Sequence, residues 1–287
     1  MSGETNALVI GAGGGVGAAT AALLLAQGYS VHASVSAADK IPALHARLPG
    51  LAGIIALDLS QGDEALERLQ AYRAAQAQKF SAVVVCAAVA PQSAAEFTSL
   101  DVLRRAVEIN CVSALAVYRA LMPDLRVTRG RMVLVSSFSG KVAMPLQAPY
   151  IASKFALEGL ADVLRQEAGP FGVEIILLQP GGIDTAMARL SASSARAQIN
   201  ALQEPELSLY GNLYKQFEYR VLEALAANSL TPPEVVAQAA LHALETDKPQ
   251  PRYPVGADAT QLLAAARGMT DRELDALVLG IYQSAPV

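Results

Sequence analysis

The stretch Asn6-Ala7-Leu8-Val9-Ile10-Gly11-Ala12-Gly13-Gly14-Gly15-Val16-Gly17-Ala18 passes from an apolar run through a glycine cluster into residues that favour helix. The segment before Gly11 is too short for a helix, and its apolar run is what a strand buried on both faces requires. From Val16 to Gln27 alanine and leucine dominate, and Gly28 ends the run. This predicts strand, tight turn, helix. Gly11, Gly15 and Gly17 stand in the spacing G-x-x-x-G-x-G, and Gly13, Gly15 and Ala18 also meet the looser G-x-G-x-x-A. Either spacing lets a pyrophosphate approach the backbone and lie at the positive end of a helix dipole. A glycine- and alanine-rich turn that serves packing alone has the same letters, so the rest of the chain must decide.

Outward from that turn the rhythm repeats. Strands are predicted at Val31 to Val35, Ile54 to Leu57, Phe80 to Ala88, Arg131 to Ser136 and Val173 to Leu178. Helices are predicted between them at Ala38 to Leu48, Gly62 to Ala77, Leu100 to Leu121 and Pro149 to Ala168. Alternation of this kind gives an α/β fold: a single Rossmann-type, doubly wound parallel sheet with helices on both faces. No linker or repeat interrupts it, so residues 1–287 are expected to form one domain. Gly182 to Asn228 breaks the rhythm and holds Tyr210, Tyr214, Phe217 and Tyr219. A long insertion after a strand end is where open α/β sheets carry segments that cover a ligand.

Composition narrows the function. With Lys+Arg 22 against Asp+Glu 26, the net charge of −4 argues against a nucleic-acid binder, which needs a basic face. At 53% apolar residues the chain fills a core and excludes disorder. Cys86 and Cys111 offer neither a disulfide framework nor zinc spacing, so no metal is expected and a reducing cytosol fits. Mean hydropathy is +0.32, but glycines and polar residues break every stretch before it reads as a ~20-residue apolar span. Met1-Ser2-Gly3-Glu4 carries an acid where a secretory leader has bases. A cytoplasmic protein without a membrane span is expected.

A dinucleotide site also needs a residue at the end of the second strand to meet the adenosine ribose. Here Val35 and Ser36 leave no carboxylate to repel a 2′-phosphate, and Lys40 can bring charge, although Asp39 opposes it. This tilts toward NADP, with NAD as the alternative. Asp58 either accepts a bond from adenine or caps the helix ahead of Leu66. Further on, Tyr150 and Lys154 lie four apart in a predicted helix and so share a face. An ammonium there lowers a phenol's pKa from about 10 toward a working acid/base. Ser137 closes a predicted strand, Asn110 sits in Glu108-Ile109-Asn110-Cys111, and Pro180-Gly181-Gly182-Ile183-Asp184-Thr185 follows another strand.

Together these residues resemble the short-chain dehydrogenase/reductase family, and Tyr150-Ile151-Ala152-Ser153-Lys154-Phe155-Ala156-Leu157-Glu158-Gly159-Leu160 is similar to its hydroxysteroid and retinol dehydrogenase branch. The resemblance runs from about Leu8 to Gly256, with Arg252-Tyr253-Pro254-Val255-Gly256 as the last strand. It implies an NAD(P)-dependent oxidoreductase interconverting a ketone or aldehyde and an alcohol. Tyr150 is then the general acid/base and Ser137 polarises the same oxygen. Lys154 holds the nicotinamide ribose and lowers the Tyr150 pKa, and Asn110 positions a water that links Lys154 to solvent. The resemblance further implies cofactor contacts at Gly11, Gly15, Val16, Gly17, Ser36, Asp58, Leu59, Ala87, Tyr150, Lys154, Pro180, Gly181, Ile183 and Thr185.

Two places depart from the family pattern. Ile10 stands where the family has a threonine that braces the turn, and Val85-Cys86-Ala87-Ala88 replaces Asn-Asn-Ala-Gly. Both bear on cofactor affinity more than on chemistry. His32, His45 and His242 are read as a strand residue and two surface helix residues, so Ser137 has no base for nucleophilic catalysis. The rival readings are a non-catalytic dinucleotide sensor and a sugar-nucleotide epimerase. Leu115, Val117, Phe155 and Leu164 are read as surplus apolar surface that pairs copies into a homodimer or homotetramer. The insertion, with Met187, Leu190, Tyr214 and Phe217, and the loop Val142 to Met144 predict a bulky apolar substrate, steroid-like, retinoid-like or aryl; packing of the same residues on the protein's own core is the alternative.

Overall fold

The computed structural model of the chain describes residues 5–285. Seven parallel strands form one sheet in the order β3-β2-β1-β4-β5-β6-β7, with β1 Asn6–Ile10, β2 Ser30–Val35, β3 Gly53–Ala56, β4 Ala82–Val85, β5 Arg131–Val135, β6 Glu174–Pro180 and β7 Arg252–Val255. Alternate residues of each strand feed opposite faces. Leu8, Ile10, Val83, Val85, Met132 and Leu134 join α3 Gly62–Ala74, α5 Ser113–Thr128 and α6 Ala148–Ala168 in one core. Ala7, Val9, Val31, Ala33, Val84 and Val133 join α1 Gly15–Ala26, α2 Ile41–Arg47 and α9 Pro233–Glu245 in the other. The doubly wound expectation therefore holds, strand by strand.

The order reverses between β1 and β4, and there the chain leaves the sheet on opposite sides and opens a crevice at the strand ends. Strand β4 is shorter than its apolar run. Phe80 gives its amide to the Asp124 carboxylate at 3.1 Å, and beyond Cys86 the backbone is claimed by a side chain. Asn110 accepts from the Val89 amide and donates to the Val89 carbonyl, both at 2.8 Å. The helix predicted over Leu100 to Leu121 is two, α4 Leu100–Val107 and α5, joined by a π-helical turn over Glu108–Val112 that carries Asn110. That turn rotates the asparagine toward the strand end.

The insertion folds as α7 Ala186–Ala201 and α8 Glu206–Ala226. Tyr214 and Phe217 do not line a pocket: they are buried with Val142, Leu146, Val278 and Tyr282 in a third core. The Tyr214 hydroxyl accepts from the Ala94 amide and donates to Glu206, both at 2.8 Å. Val278 and Tyr282 come from α11 Asp271–Gln283, which follows α10 Ala257–Gly268. Arg220 on α8 donates to the Ile281 carbonyl at 2.8 Å. The surplus surface on α5 and α6 is also smaller than expected. Val117 and Leu164 are core residues and Leu115 packs against them, whereas Phe155 is exposed together with Val112 and Val163. Among the described residues no helix is long and apolar enough to cross a membrane.

Tyr214→Phe removes the acceptor of a buried amide and is expected to cost about 1–3 kcal/mol. Urea unfolding checks this, and an unchanged midpoint would show that the hydroxyl does not hold α8 down.

Candidate active site

The crevice is floored by the turn after β1. Gly11 has φ +87°, and a Cβ built on it would lie 2.7 Å from the Ala87 amide nitrogen, so the ends of β1 and β4 meet only because this residue is glycine. The brace that Ile10 cannot supply comes from β2: the Gly11 amide donates to the buried Ser34 hydroxyl at 3.0 Å. Gly14 precedes α1 without a side-chain cap, which leaves the positive end of that helix open to the crevice.

Two continuous clefts share Gly13, Gly14, Cys86, Ala88 and Met187. One, about 550 Å³, is lined by Gly11, Ser36, Lys40, Asp58, Leu59, Ala87 and Arg105. Lys40 donates to the Ser36 hydroxyl at 2.7 Å. Asp58 is no helix cap: its carboxylate accepts from the Ser60 amide at 3.0 Å and the Ser60 hydroxyl at 2.7 Å. Those bonds, aided by the Arg105 charge, hold it below the usual carboxylate range. Arg105 was missed from sequence because nothing in a helix surface arginine marks the strand end it faces. The other cleft, about 690 Å³, is lined by Gly15, Val16, Gly17, Ser137, Tyr150, Lys154, Pro180, Gly181, Ile183 and Thr185, with Met187 from the insertion, as expected, and Cys86 unforeseen. Every expected contact residue thus borders one cleft or the other, except Asn110.

Asn110 is buried behind the cleft wall, where its amide also donates to the Ser153 hydroxyl at 2.8 Å. Its side chain is fully engaged with Val89 and Ser153. The structure therefore gives it the work of locking the strand end to α6, and its side chain makes no bond to Lys154. Ser137 leaves β5 in an extended conformation, and its hydroxyl accepts from the Ser139 amide at 3.1 Å. The same hydroxyl donates to the Pro180 carbonyl at 3.4 Å, and Tyr150, in the first turn of α6, borders the same cleft. Lys154 is one turn on and buried; its Nζ donates to the Val135 carbonyl at 2.9 Å and lies 5.7 Å from the centre of the Tyr150 ring.

The electrostatics differ from the expectation. Burial holds the Tyr150 phenol above its ordinary value of 10, and only the Ser137 hydrogen bond pulls it down. Burial also pushes Lys154 down to about 8, with Glu158 the largest influence in the other direction. At neutral pH Lys154 is therefore a cation and Tyr150 a protonated phenol aimed, with Ser137, into one corner of the cleft. Cys86 is pushed up to about 12 by burial and Cys111 is raised as well, so neither is a thiolate. Such a corner can polarise a carbonyl oxygen and hand it a proton.

The model of the family described as short chain dehydrogenase matches residues 5–195. The chain belongs to the short-chain dehydrogenase family. Its relatives include the mitochondrial D-beta-hydroxybutyrate dehydrogenase of Rattus norvegicus, 30% identical over 162 residues, 55% of this chain and 47% of that protein. The chain thus spans about half the length of that relative. The NADPH-dependent 3-dehydrocapnine reductase of Ornithobacterium rhinotracheale is 27% identical over 277 residues and 94% of each chain. Among solved structures, a short-chain dehydrogenase from Streptomyces avermitilis aligns with a TM-score of 0.75 at 25% identity, over 99% of this chain and 97% of that one. One from Burkholderia cenocepacia J2315, in complex with NADP, aligns with 0.70 at 22% identity over 96% and 98%, which shows the fold.

Ser34→Ala leaves the Gly11 amide without its acceptor, at a cost on the order of 1 kcal/mol. A denaturation midpoint equal to that of the unaltered protein would remove Ser34 as the brace that replaces the missing threonine.

Proposed function

We propose that this short-chain dehydrogenase is an NADP(H)-dependent oxidoreductase that interconverts a ketone or aldehyde and an alcohol, with an apolar, uncharged substrate. The observation that carries the reaction class is that Ser137, Tyr150 and the buried Lys154 border one cleft together. The cofactor fits the residues present. The open end of α1 and the glycine turn suit a pyrophosphate, and the Ser36–Lys40 pair, with Arg105 across the cleft, suits a 2′-phosphate. The NADPH dependence of the Ornithobacterium relative points the same way. When bound, the nicotinamide supplies or accepts the hydride.

In the direction of reduction, the Tyr150 phenol donates its proton to the carbonyl oxygen while Ser137 donates a hydrogen bond to the same atom. Lys154 holds the ribose and keeps a positive charge near the forming phenolate. Asn110 fixes the geometry by tying Val89 and Ser153 together. Its further proposed part is to position a water that links Lys154 to solvent.

The substrate class rests on a neighbouring cleft of about 580 Å³ that meets the catalytic one at Met187. Pro91, Phe97, Val102, Met187 and Leu190 supply its apolar wall, and no charged side chain is among its described lining residues. Such a wall excludes water from the hydride path and rejects small ionic substrates. A homodimer or homotetramer through α5 and α6, in the cytoplasm, completes the reading, supported by exposed Phe155, Val112 and Val163 and by the two unpaired cysteines.

A turnover screen with NADPH and NADH across steroid, retinoid, aryl, sugar and hydroxy-acid carbonyls tests this reading. Tyr150→Phe is expected to abolish turnover and leave NADPH binding within a few-fold; retained activity removes the mechanism. Ser36→Asp is expected to shift preference toward NADH through repulsion of the 2′-phosphate, and a wild-type kcat/KM higher with NADH overturns the cofactor assignment. Leu190→Ala is expected to raise KM for an apolar ketone about tenfold through lost apolar contact, with NADPH binding unchanged. Cofactor binding without turnover of any carbonyl compound would favour the regulatory reading instead.

A further inference from the structure

Gly181 to Thr185 carry the chain from β6 into α7 and form one wall of the catalytic cleft, where Gly181, Ile183 and Thr185 line it. Two successive glycines give this wall no side chain of its own to pack with, so its course is set by what holds its peptide groups. Three of its amides are held from other elements. The Gly181 amide donates to the Val255 carbonyl at 3.0 Å, the Gly182 amide to the Asp258 carboxylate at 2.8 Å, and the Asp184 amide to the Thr231 carbonyl at 2.9 Å. The Thr231 amide donates in turn to the Gly182 carbonyl at 2.8 Å. Because that carbonyl faces Thr231, the Ile183 amide, in the same trans peptide, points the other way. Ile183 borders the cleft and Thr231 does not.

Gly182 is therefore gripped at both ends, its carbonyl by backbone and its amide by a side chain. An acid in the first turn of a helix ordinarily serves that helix's own N–H groups. Asp258 stands in the first turn of α10, which starts from Gly256 without a side-chain cap, yet its Oδ2 reaches back to the end of β6. Glycines make the slot it occupies. A Cβ on Gly181 would fall on the carboxylate itself, and one on Gly256, at φ +99°, would lie 2.8 Å from Oδ1. Asp258 is exposed and does not line the cleft, so what it contributes is a placed acceptor and not a screened charge. Thr231, Val255 and Asp258 all lie beyond residues 5–195, the part that matches the family.

We propose that Asp258 is a positioning residue of the cofactor cleft: by holding the Gly182 amide it fixes the peptide that turns the Ile183 amide into the cleft. Without it a glycine is free to rotate and the donor loses its aim. Helix α10 thereby reaches the cofactor wall from outside the family segment. The proposal rests on the dehydrogenase reading, in which the backbone at Ile183 meets the nicotinamide carboxamide.

The test compares Asp258→Ala with Asp258→Asn, whose amide oxygen can still accept from Gly182. Without any ligand, hydrogen exchange of the Gly182 amide, followed by NMR, should quicken about tenfold or more in Asp258→Ala and stay near the unaltered rate in Asp258→Asn. Calorimetry then measures NADPH and 2′-phospho-ADP-ribose, which lacks the nicotinamide. Asp258→Ala should bind NADPH about tenfold more weakly and the truncated ligand unchanged, while Asp258→Asn stays within about threefold for both. A merely structural role would weaken both ligands together. An equal loss for the two, no loss for NADPH, or unchanged exchange overturns the proposal. Should Asp258→Ala fail to fold, Asp258→Glu keeps the charge at the start of α10 and displaces the acceptor by one methylene; the same confined loss is expected, and its absence overturns the proposal too. An unaltered protein that binds neither ligand ends the dinucleotide reading, and exchange at Gly182 then judges whether Asp258 holds the wall.

Discussion

Everything at the site depends on how closely the ends of β1 and β4 approach each other. The sheet order forces the chain to leave these neighbouring strands toward opposite faces, and the backbones touch at Gly11 and Ala87 without room for a side chain. The close approach brings the positive end of α1 beside the loop that leads from β4 to Asn110. Asn110 then completes the junction, replacing a strand partner for Val89 with its own amide and pinning Ser153 on α6. The glycine turn and α6 are in this way fastened to one point. A change at the turn is therefore felt at Tyr150 through covalent and hydrogen-bonded links, not through distance alone.

Burial acts on the two titratable groups in opposite directions. It raises the tyrosine and lowers the lysine, so the same desolvation keeps the phenol protonated and threatens the charge that would stabilise its conjugate base. The sequence argument, four residues on one helix face, treats the pair as if it stood in water. In the fold the ammonium is turned to the Val135 carbonyl, and the balance is set by what else is buried nearby.

The fold was legible because it is written locally: a strand buried on both faces needs a continuous apolar run, and a crossover helix needs good formers between turn residues. The lining of the candidate cleft was legible where its residues close strands or share a helix face, as at Gly11, Ser137, Tyr150 and Lys154. What escaped had no local signature. Ser34 braces a turn 23 residues away, Arg105 faces Asp58 across the crevice, and past the end of β4 the Val89 amide is taken by Asn110, a side chain from the π-helical turn. The aromatic residues of the insertion were misassigned as pocket lining for a related reason. Their helical spacing marks a buried face, and it says nothing of whether a ligand or another part of the chain does the burying.

That last point separates chemistry from specificity. The glycine turn, Asn110, Ser137, Tyr150 and Lys154 all lie within residues 5–195, the part that matches the family. The third core straddles that boundary: Ala94, Val142, Leu146 and Ala195 lie within it, whereas Tyr214 and Phe217 on α8 and Val278 and Tyr282 on α11 come from beyond it. Tyr282 also reaches the Pro145 carbonyl at 3.5 Å, in the loop between Ser137 and Tyr150. The position of α7, and with it of Met187 and Leu190 in the cleft, thus depends on packing against α8, which α11 in turn packs on.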